Sequence, residues 1–308
     1  MKSRQKNIYR KMEKIKQSAE NEHQKKENKN RFIAKFLNNK LAVLGLILFI
    51  VIVFMCTFPK LFTSYNPSQI QLTIENYLKP PSRTHIFGTD KLGRDVFSSI
   101  LYGGFQSIQI GLVSALFAGV IGVSLGCFGG YRGGLIDKSF MRLSELMTAF
   151  PRIVLVMLLV SIIGRSKMNL LMIFGLTGWS TMYRLTRARV LSLREKEFVQ
   201  ALKAFSVSDN KIAFKHILPN AIGPIAVNFT LSTANFILQE TSLSFLGVGI
   251  SPEILTWGNM INVAKELAVF RSNVWLWLPV GIFMSLFILS INFIGDGFRD
   301  ASDTSQQG

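Results

Sequence analysis

Apolar positions in this chain fall in long unbroken runs, without the period-2 alternation of half-buried strands or the narrow seam of a coiled coil. Charge-free runs occupy residues 42–59, 96–131, 216–239 and 272–295; a helix needs about 20 such residues to cross a hydrocarbon core. Two further apolar stretches are shorter. One, 141–163, carries Glu145, Pro151 and Arg152 toward one end, and the other, 168–183, is bounded by Lys167 and Arg184. The expectation is an all-α polytopic membrane protein with six transmembrane helices, at about 41–62, 104–130, 141–163, 168–187, 220–241 and 274–296.

Smaller features refine this pattern. Residues 59–95 contain Asn66-Pro67, Pro80-Pro81 and Gly88, all turn signals, and read as an external loop. In the second span Ala115, Gly119, Gly122, Gly126 and Gly130 recur along one face, which lets another helix approach closely. Spacing leaves open whether that helix belongs to this chain or to a partner. Pro151 predicts a kink that neighbouring helices can tolerate. Glu145 and Arg152 beside it, Glu240 and Asp296 at span ends, are expected to snorkel or to pair structurally. Asn228, Asn235 and Asn292 lie well inside spans and are the candidates for lining a path, although interhelical glue would look the same.

Composition agrees with a membrane class: 49% of the 308 residues are hydrophobic and mean hydropathy is +0.32. A formal charge of +17 would suit nucleic acid, but its distribution argues otherwise. The first 40 residues hold 13 Lys/Arg against 4 Glu. With the N-terminus inside, segments 1–41, 132–152, 184–215 and 296–308 hold 26 of the 35 Lys/Arg, the positive-inside bias of a chain with both ends in the cytoplasm. The expected organisation is a mobile basic cytoplasmic tail over 1–30, a membrane domain over 31–303 and a short cytoplasmic tail over 304–308. Within the first tail Ile8, Met12 and Ile15 recur at helical spacing; Phe32, Phe36 and Leu37, among Arg31, Lys35 and Lys40, predict a short interfacial helix. A basic stretch of this length is unlike a secretory leader, so the first span is expected to stay in the mature protein.

Catalytic chemistry finds no foothold. His23, His85 and His216 are scattered without Cys or carboxylate at ligand spacing, and no nucleophile-elbow pattern accompanies the serines. Cys56 and Cys127 fall in apolar runs and read as small buried hydrophobes. Gly88 to Asp95 has the glycine spacing of a phosphate loop but ends in Arg94-Asp95, without the Lys and hydroxyl such a loop requires.

One polar interruption, Glu197 to Asn220, is unlike a simple connector. Phe198, Ala201, Leu202 and Phe205 fall at i, i+3, i+4 and i+7, the stripe of an amphipathic helix. Ser208 or Asp209 can cap a second helix, expected to pass through Ile212, Ala213 and Phe214 and to stop before Pro219. Such a hairpin could lie flat on lipid or insert into a partner's groove.

From about Arg31 to Asp303 the chain resembles the integral-membrane permease subunits of bacterial ABC importers, in the dipeptide/oligopeptide/nickel family and its C-type permease. The resemblance is carried by residues 39–46 (NKLAVLGL), 85–103 (HIFGTDKLGRDVFSSILYG), 129–137 (GGYRGGLID), 216–220 (HILPN), 243–252 (LSFLGVGISP) with Trp257-Gly258, and 291–300 (INFIGDGFRD). It implies the importer permease fold and makes 197–220 the hairpin that an ATPase subunit holds. The family pattern there is Glu-Ala-Ala, Gly four residues on, then Leu-Pro. Here Gln200 replaces the Glu, Ala201 keeps its place, Leu202 replaces the second Ala and Ser206 replaces the Gly; Asp209, His216, Ile217, Leu218, Pro219 and Asn220 match. Phe205 completes the expected coupling face. The resemblance further implies a non-catalytic transport subunit in the bacterial plasma membrane, forming half of a pathway for di- or oligopeptides. A second homologous permease, two ATPases that bind ATP and Mg, an external substrate-binding protein and the lipid membrane are its expected partners, with no cofactor or metal in this chain and no nucleic acid. Import of nickel or a metal chelate is the alternative, and a passive channel or membrane receptor is the alternative of another class.

Overall fold

The computed structural model describes residues 30–67 and 76–303, so the tails 1–29 and 304–308 lie outside the described residues. Within them regular structure is helical, apart from an isolated bridge between Thr89 and Asp95. A short helix, α1 (30–38), precedes α2 (Lys40–Thr57), and Asn39 between them accepts the Ala42 N–H and caps α2. Phe32 and Phe36 pack on Phe298 while Ile33 and Leu37 face outward, as an interfacial helix requires. Next come α3 (Val96–Arg132), α4 (Gly134–Ala149), α5 (Arg152–Ile163), α6 (Lys167–Arg194), α7 (Glu197–Ala204) and α8 (Asp209–Phe245). The chain closes with α9 (Trp257–Ile261), α10 (Leu267–Ser272) and α11 (Leu278–Asp303).

Four segments are long and apolar enough to cross a membrane: Lys40–Thr57, Val96–Arg132, Asp209–Phe245 and Val274–Ser302. The stretch 141–163 is not one straight span, because α4 and α5 meet there at 91°. Pro151 is the cause: Phe150 before it is extended (φ −100°, ψ 144°), as a residue preceding proline prefers, and α5 starts afresh behind it. Counting that pair as one broken span gives five. The remaining expected span, 168–187, lies inside α6, whose 28 residues reach about 42 Å. Lys167, Arg184, Arg187, Arg189 and Arg194 make α6 too polar to qualify by composition.

Packing gives α6 its place. An added Cβ on Gly122, Gly126 or Gly130 of α3 would fall 2.6 Å from Trp179 O, 2.7 Å from Tyr183 O or 3.0 Å from Arg187 O. The small-residue stripe therefore seats a helix of the same chain, with Gly119 at its edge, where an added Cβ would meet only Phe229 and Met182 side chains at 3.9 and 4.0 Å. At the other end of the bundle Trp257 is fully buried; its Nε1 donates to Ile100 O and its backbone N–H to Ser107 Oγ, both at 3.0 Å. These bonds fold the segment after α8 back onto α3.

Two charged side chains, Glu240 and Arg152, depart from the expected snorkelling or pairing. Glu240 is fully buried and has no salt bridge among the described residues; its Oε1 accepts from Ser244 Oγ (2.9 Å) and Thr256 Oγ1 (2.8 Å), which pins the α8–α9 segment. Arg152 turns inward, donating to Thr177 O at 3.1 Å with its guanidinium over the Phe236 ring, while Glu145 pairs with Arg142. Gly88 to Asp95 is a capping loop. Asp95 accepts the Ser98 N–H at 2.7 Å to start α3 and lies 2.9 Å from His85 Nδ1, and Asp90 accepts the N–H groups of Leu92 and Arg94. Two inward carboxylates make this loop a poor cradle for phosphate.

Candidate functional site

The hairpin folds against the joined ends of α3 and α6. Val199, Ile212, Ala213 and Ile217 are buried with Cys127 and Tyr131 of α3 and Val190 of α6, and Leu193, Leu202, Val207 and Leu218 pack on them. Each fully buried Val or Ile contributes about 1.5–3 kcal/mol. Helix α7 ends in a Schellman turn: Ser206 N–H donates to Lys203 O (2.9 Å), Val207 N–H donates to Leu202 O (3.1 Å), and Ser206 is left-handed at φ +56°.

Two expectations about the second helix are corrected. Ser208 occupies the N-cap position without a side-chain cap bond, and Asp209 instead accepts from Tyr131 Oη at 3.1 Å. Nor does the helix stop before Pro219. Residues Ile212–Ile217 form a π-helical turn that runs directly into Leu218–Phe245, and the Leu218 N–H reaches back to Ala213 O. The wider turn accommodates a proline ring that an α-helical ladder would reject. Carbonyls of this turn also meet side-chain donors: Cys127 Sγ lies 3.4 Å from Ala213 O, and Asn220 Nδ2 donates to His216 O at 2.7 Å.

A polar layer surrounds this apolar cluster. Arg194 Nη1 donates to Tyr131 O (3.1 Å) and its Nε to Glu195, while Lys203 Nζ lies 5.8 Å from the centre of the Tyr131 ring. Farther along α6, Arg187 grips Asp137 of α4 with a two-pronged contact, Nε to Oδ1 and Nη2 to Oδ2, both 2.6 Å; Tyr183 Oη adds a bond to Oδ1 at 2.9 Å.

The structure sorts the hairpin residues into two sets. Ile217 is buried, Leu202, His216 and Leu218 are half-buried, and Asp209 is held by Tyr131, so these anchor the hairpin. Gln200, Ala201, Phe205, Ser206 and Pro219 are exposed, with Phe205 83% so. Phe198 and Phe214 join that outer face. Phe198, Ala201 and Phe205 of the i, i+3, i+4, i+7 stripe thus face outward, while its Leu202 turns inward with Val199, an i, i+3 pair available in the sequence but hidden beside the larger aromatics. The Asp137–Arg187 contact, spanning 50 residues, left no such local signal. The three asparagines do not converge. Asn228 lines a cavity of about 270 Å³ with Arg189, Pro224, Leu231 and Arg299, Asn235 is exposed, and Asn292 Oδ1 is buried without a hydrogen-bond partner among the described residues. Nor, among the described residues, do three or more His, Cys, Asp or Glu side chains gather at metal-binding distance.

Residues 120–306 match the family model for the binding-protein-dependent transport system inner membrane component, and residues 30–81 match that for the N-terminal TM domain of oligopeptide transport permease C. The chain is 39% identical over 265 residues to the dipeptide transport system permease protein DppC of Alkalihalophilus pseudofirmus, covering 86% of each. It is 37% identical over 270 residues to the oligopeptide transport system permease protein OppC of Bacillus subtilis, covering 87% of each. The Haemophilus influenzae OppC is 35% identical over 276 residues, 87% of this chain and 86% of that protein.

Proposed function

This chain belongs to the family of binding-protein-dependent transport system inner membrane components, and from that premise we propose that it forms half of the pathway of an ATP-driven peptide importer. A multi-pass permease of this family is itself non-catalytic, so partner ATPases would bind ATP and Mg and do the hydrolysis. A second homologous permease would complete the pathway, and an external binding protein would deliver substrate. Short peptides are the proposed cargo because the relatives it resembles are named dipeptide and oligopeptide permeases. Residues 31–303 would be the permease domain, with 1–30 and 304–308 as cytoplasmic tails, and Asn228, Asn235 and Asn292 the candidates for facing the path.

The observation that carries the coupling role is the outward face of α7. Phe198, Ala201 and Phe205 are exposed, while Val199 and Leu202 fix the helix from behind. An apolar helix face on a braced hairpin suits insertion into a partner's groove. Gln200 beside it keeps hydrogen-bonding capacity where the family places Glu. Paired Ala201→Asp and Phe205→Asp substitutions put charge on that face without touching the buried anchors. They are expected to release the ATPases from the purified complex and to stop ATP-dependent uptake of labelled peptide, with membrane insertion retained. ATPases that stay bound to the doubly substituted subunit would remove the coupling assignment.

A further inference from the structure

We infer that the Asp137–Arg187 pair is a positioning joint that hands movement of the hairpin to α4 and, across the Pro151 bend, to α5; this rests on the coupling role proposed above. Helix α4 is articulated at both ends. It follows Gly133 and Gly134, at φ +67° and +76° with no atom within 4 Å of an added Cβ on either, and it ends at the extended Phe150. A two-glycine junction in open space gives the backbone little means of fixing α4 relative to α3. Side chains must do so. Among the described residues Asp137–Arg187 is the one salt bridge that ties α4 to another helix; Tyr183 Oη adds bonds to Asp137 O (3.1 Å) and Oδ1 (2.9 Å) at the same point, and the tie farther along, Ser144 Oγ to Ser180 O, is long at 3.5 Å.

The pair is well placed to receive a displacement. Arg187 lies two turns before the end of α6, and at that end Arg194 ties α6 to Tyr131 of α3, whose hydroxyl in turn holds Asp209 of the hairpin. A bidentate guanidinium–carboxylate contact fixes direction as well as distance, and Tyr183 Oη restrains the carboxylate from a third side. Gly129 leaves room for it, since a Cβ there would come within 2.8 Å of Asp137 Oδ1. A shift of α6 driven from the hairpin therefore carries the first turn of α4 with it. The far end of α4 delivers that shift to α5 and to Arg152, whose bond to Thr177 O returns to α6.

The test uses the whole complex in vesicles, with this chain, its partner permease, the ATPases and the peptide-loaded binding protein. Peptide uptake, ATP hydrolysis and the amount of assembled complex are measured together for D137N, R187K and Y183F. R187K keeps both charges but loses the fork. In D137N and R187K hydrolysis is expected to persist while peptide carried per ATP falls about tenfold, within the range of typical coupling effects; Y183F, which leaves the pair, loses less. Uptake per ATP at the wild-type value in both pair variants would overturn the inference. So would uptake and hydrolysis falling together in step with lost assembly. Should D137N fail to assemble, R187K decides. The outward-face double variant A201D/F205D separates the two ideas, because release of the ATPases there with unchanged coupling in R187K leaves the hairpin role standing and removes only the joint.

Discussion

Ser206 shows how a single position can be read from chain chemistry and then weighed from geometry. The family pattern places Gly there, and a Ser is strained only where the turn demands positive φ; the turn does, at +56°. A left-handed non-Gly residue costs about 1–2 kcal/mol, while adding Gly loosens the unfolded chain by about 0.4–1 kcal/mol. Ser206→Gly should therefore raise stability by a net ~0.5–1 kcal/mol on those figures, seen as a higher melting temperature of the detergent-solubilised subunit. Ser206→Val should lower it, because a β-branched side chain tolerates that region least. Gly104 is the opposite case. A Cβ there would stand 2.6 Å from Cys56 Sγ and 2.7 Å from the Trp257 ring, and neither can withdraw from a filled core. Gly104→Ala is expected to cost about 1–3 kcal/mol by overpacking, read by the same thermal assay; an unchanged melting temperature would show that the α2–α3–α9 contact yields.

Among the elements, what sequence made legible was decided by whether the signal was local. The helices of 40–57 and 96–132 announce themselves by unbroken apolar runs, and the glycine stripe announced a close helix without saying whose. The apolar half of helix α6 is legible as the expected span at 168–187, but how its arginines are satisfied is not, since contacts such as Asp137 lie far away in sequence. The π turn at 212–217 is hidden for a related reason: Pro219 disfavours an α-helical ladder, and no residue pattern advertises the wider turn that relieves it. Pro151 shows the converse, a local rule whose consequence in the fold is larger than a kink. Its expected kink is a 91° corner. Replacing it with Ala removes the restriction on Phe150, so α4 and α5 should relax toward a continuous helix. Spin labels at Leu143 and Leu158, both exposed, should then move apart in pulsed-EPR distance measurements; an unaltered distance would assign the corner to packing around Arg152 instead.

At the scale of the whole molecule, charge asymmetry carries more information than hydropathy. Length and composition alone leave four or five crossings, and an odd number would place the two ends on opposite sides. With 26 of 35 Lys/Arg in the segments assigned inside, moving the ends apart would strand the basic hairpin or the basic tail on the external side, against the positive-inside bias. With the bent α4–α5 pair counted as a crossing, that bias favours counting α6 as a span too, despite its arginines, with their charges at one end and its apolar half against α3. The packing agrees with this, since Gly175 and Gly178 in that apolar half lie against Phe117 and Ala118 of α3. The orientation can be tested directly because Cys56 and Cys127 are buried, which keeps background labelling low. Arg83→Cys and Lys203→Cys each place a thiol at an exposed position, one in the loop before α3 and the other on α7. A membrane-impermeant maleimide added to intact spheroplasts should label residue 83 and spare residue 203, and permeabilisation should make both reactive. Labelling of residue 203 from outside would reverse the orientation and, with it, deny the hairpin any access to cytoplasmic ATPases.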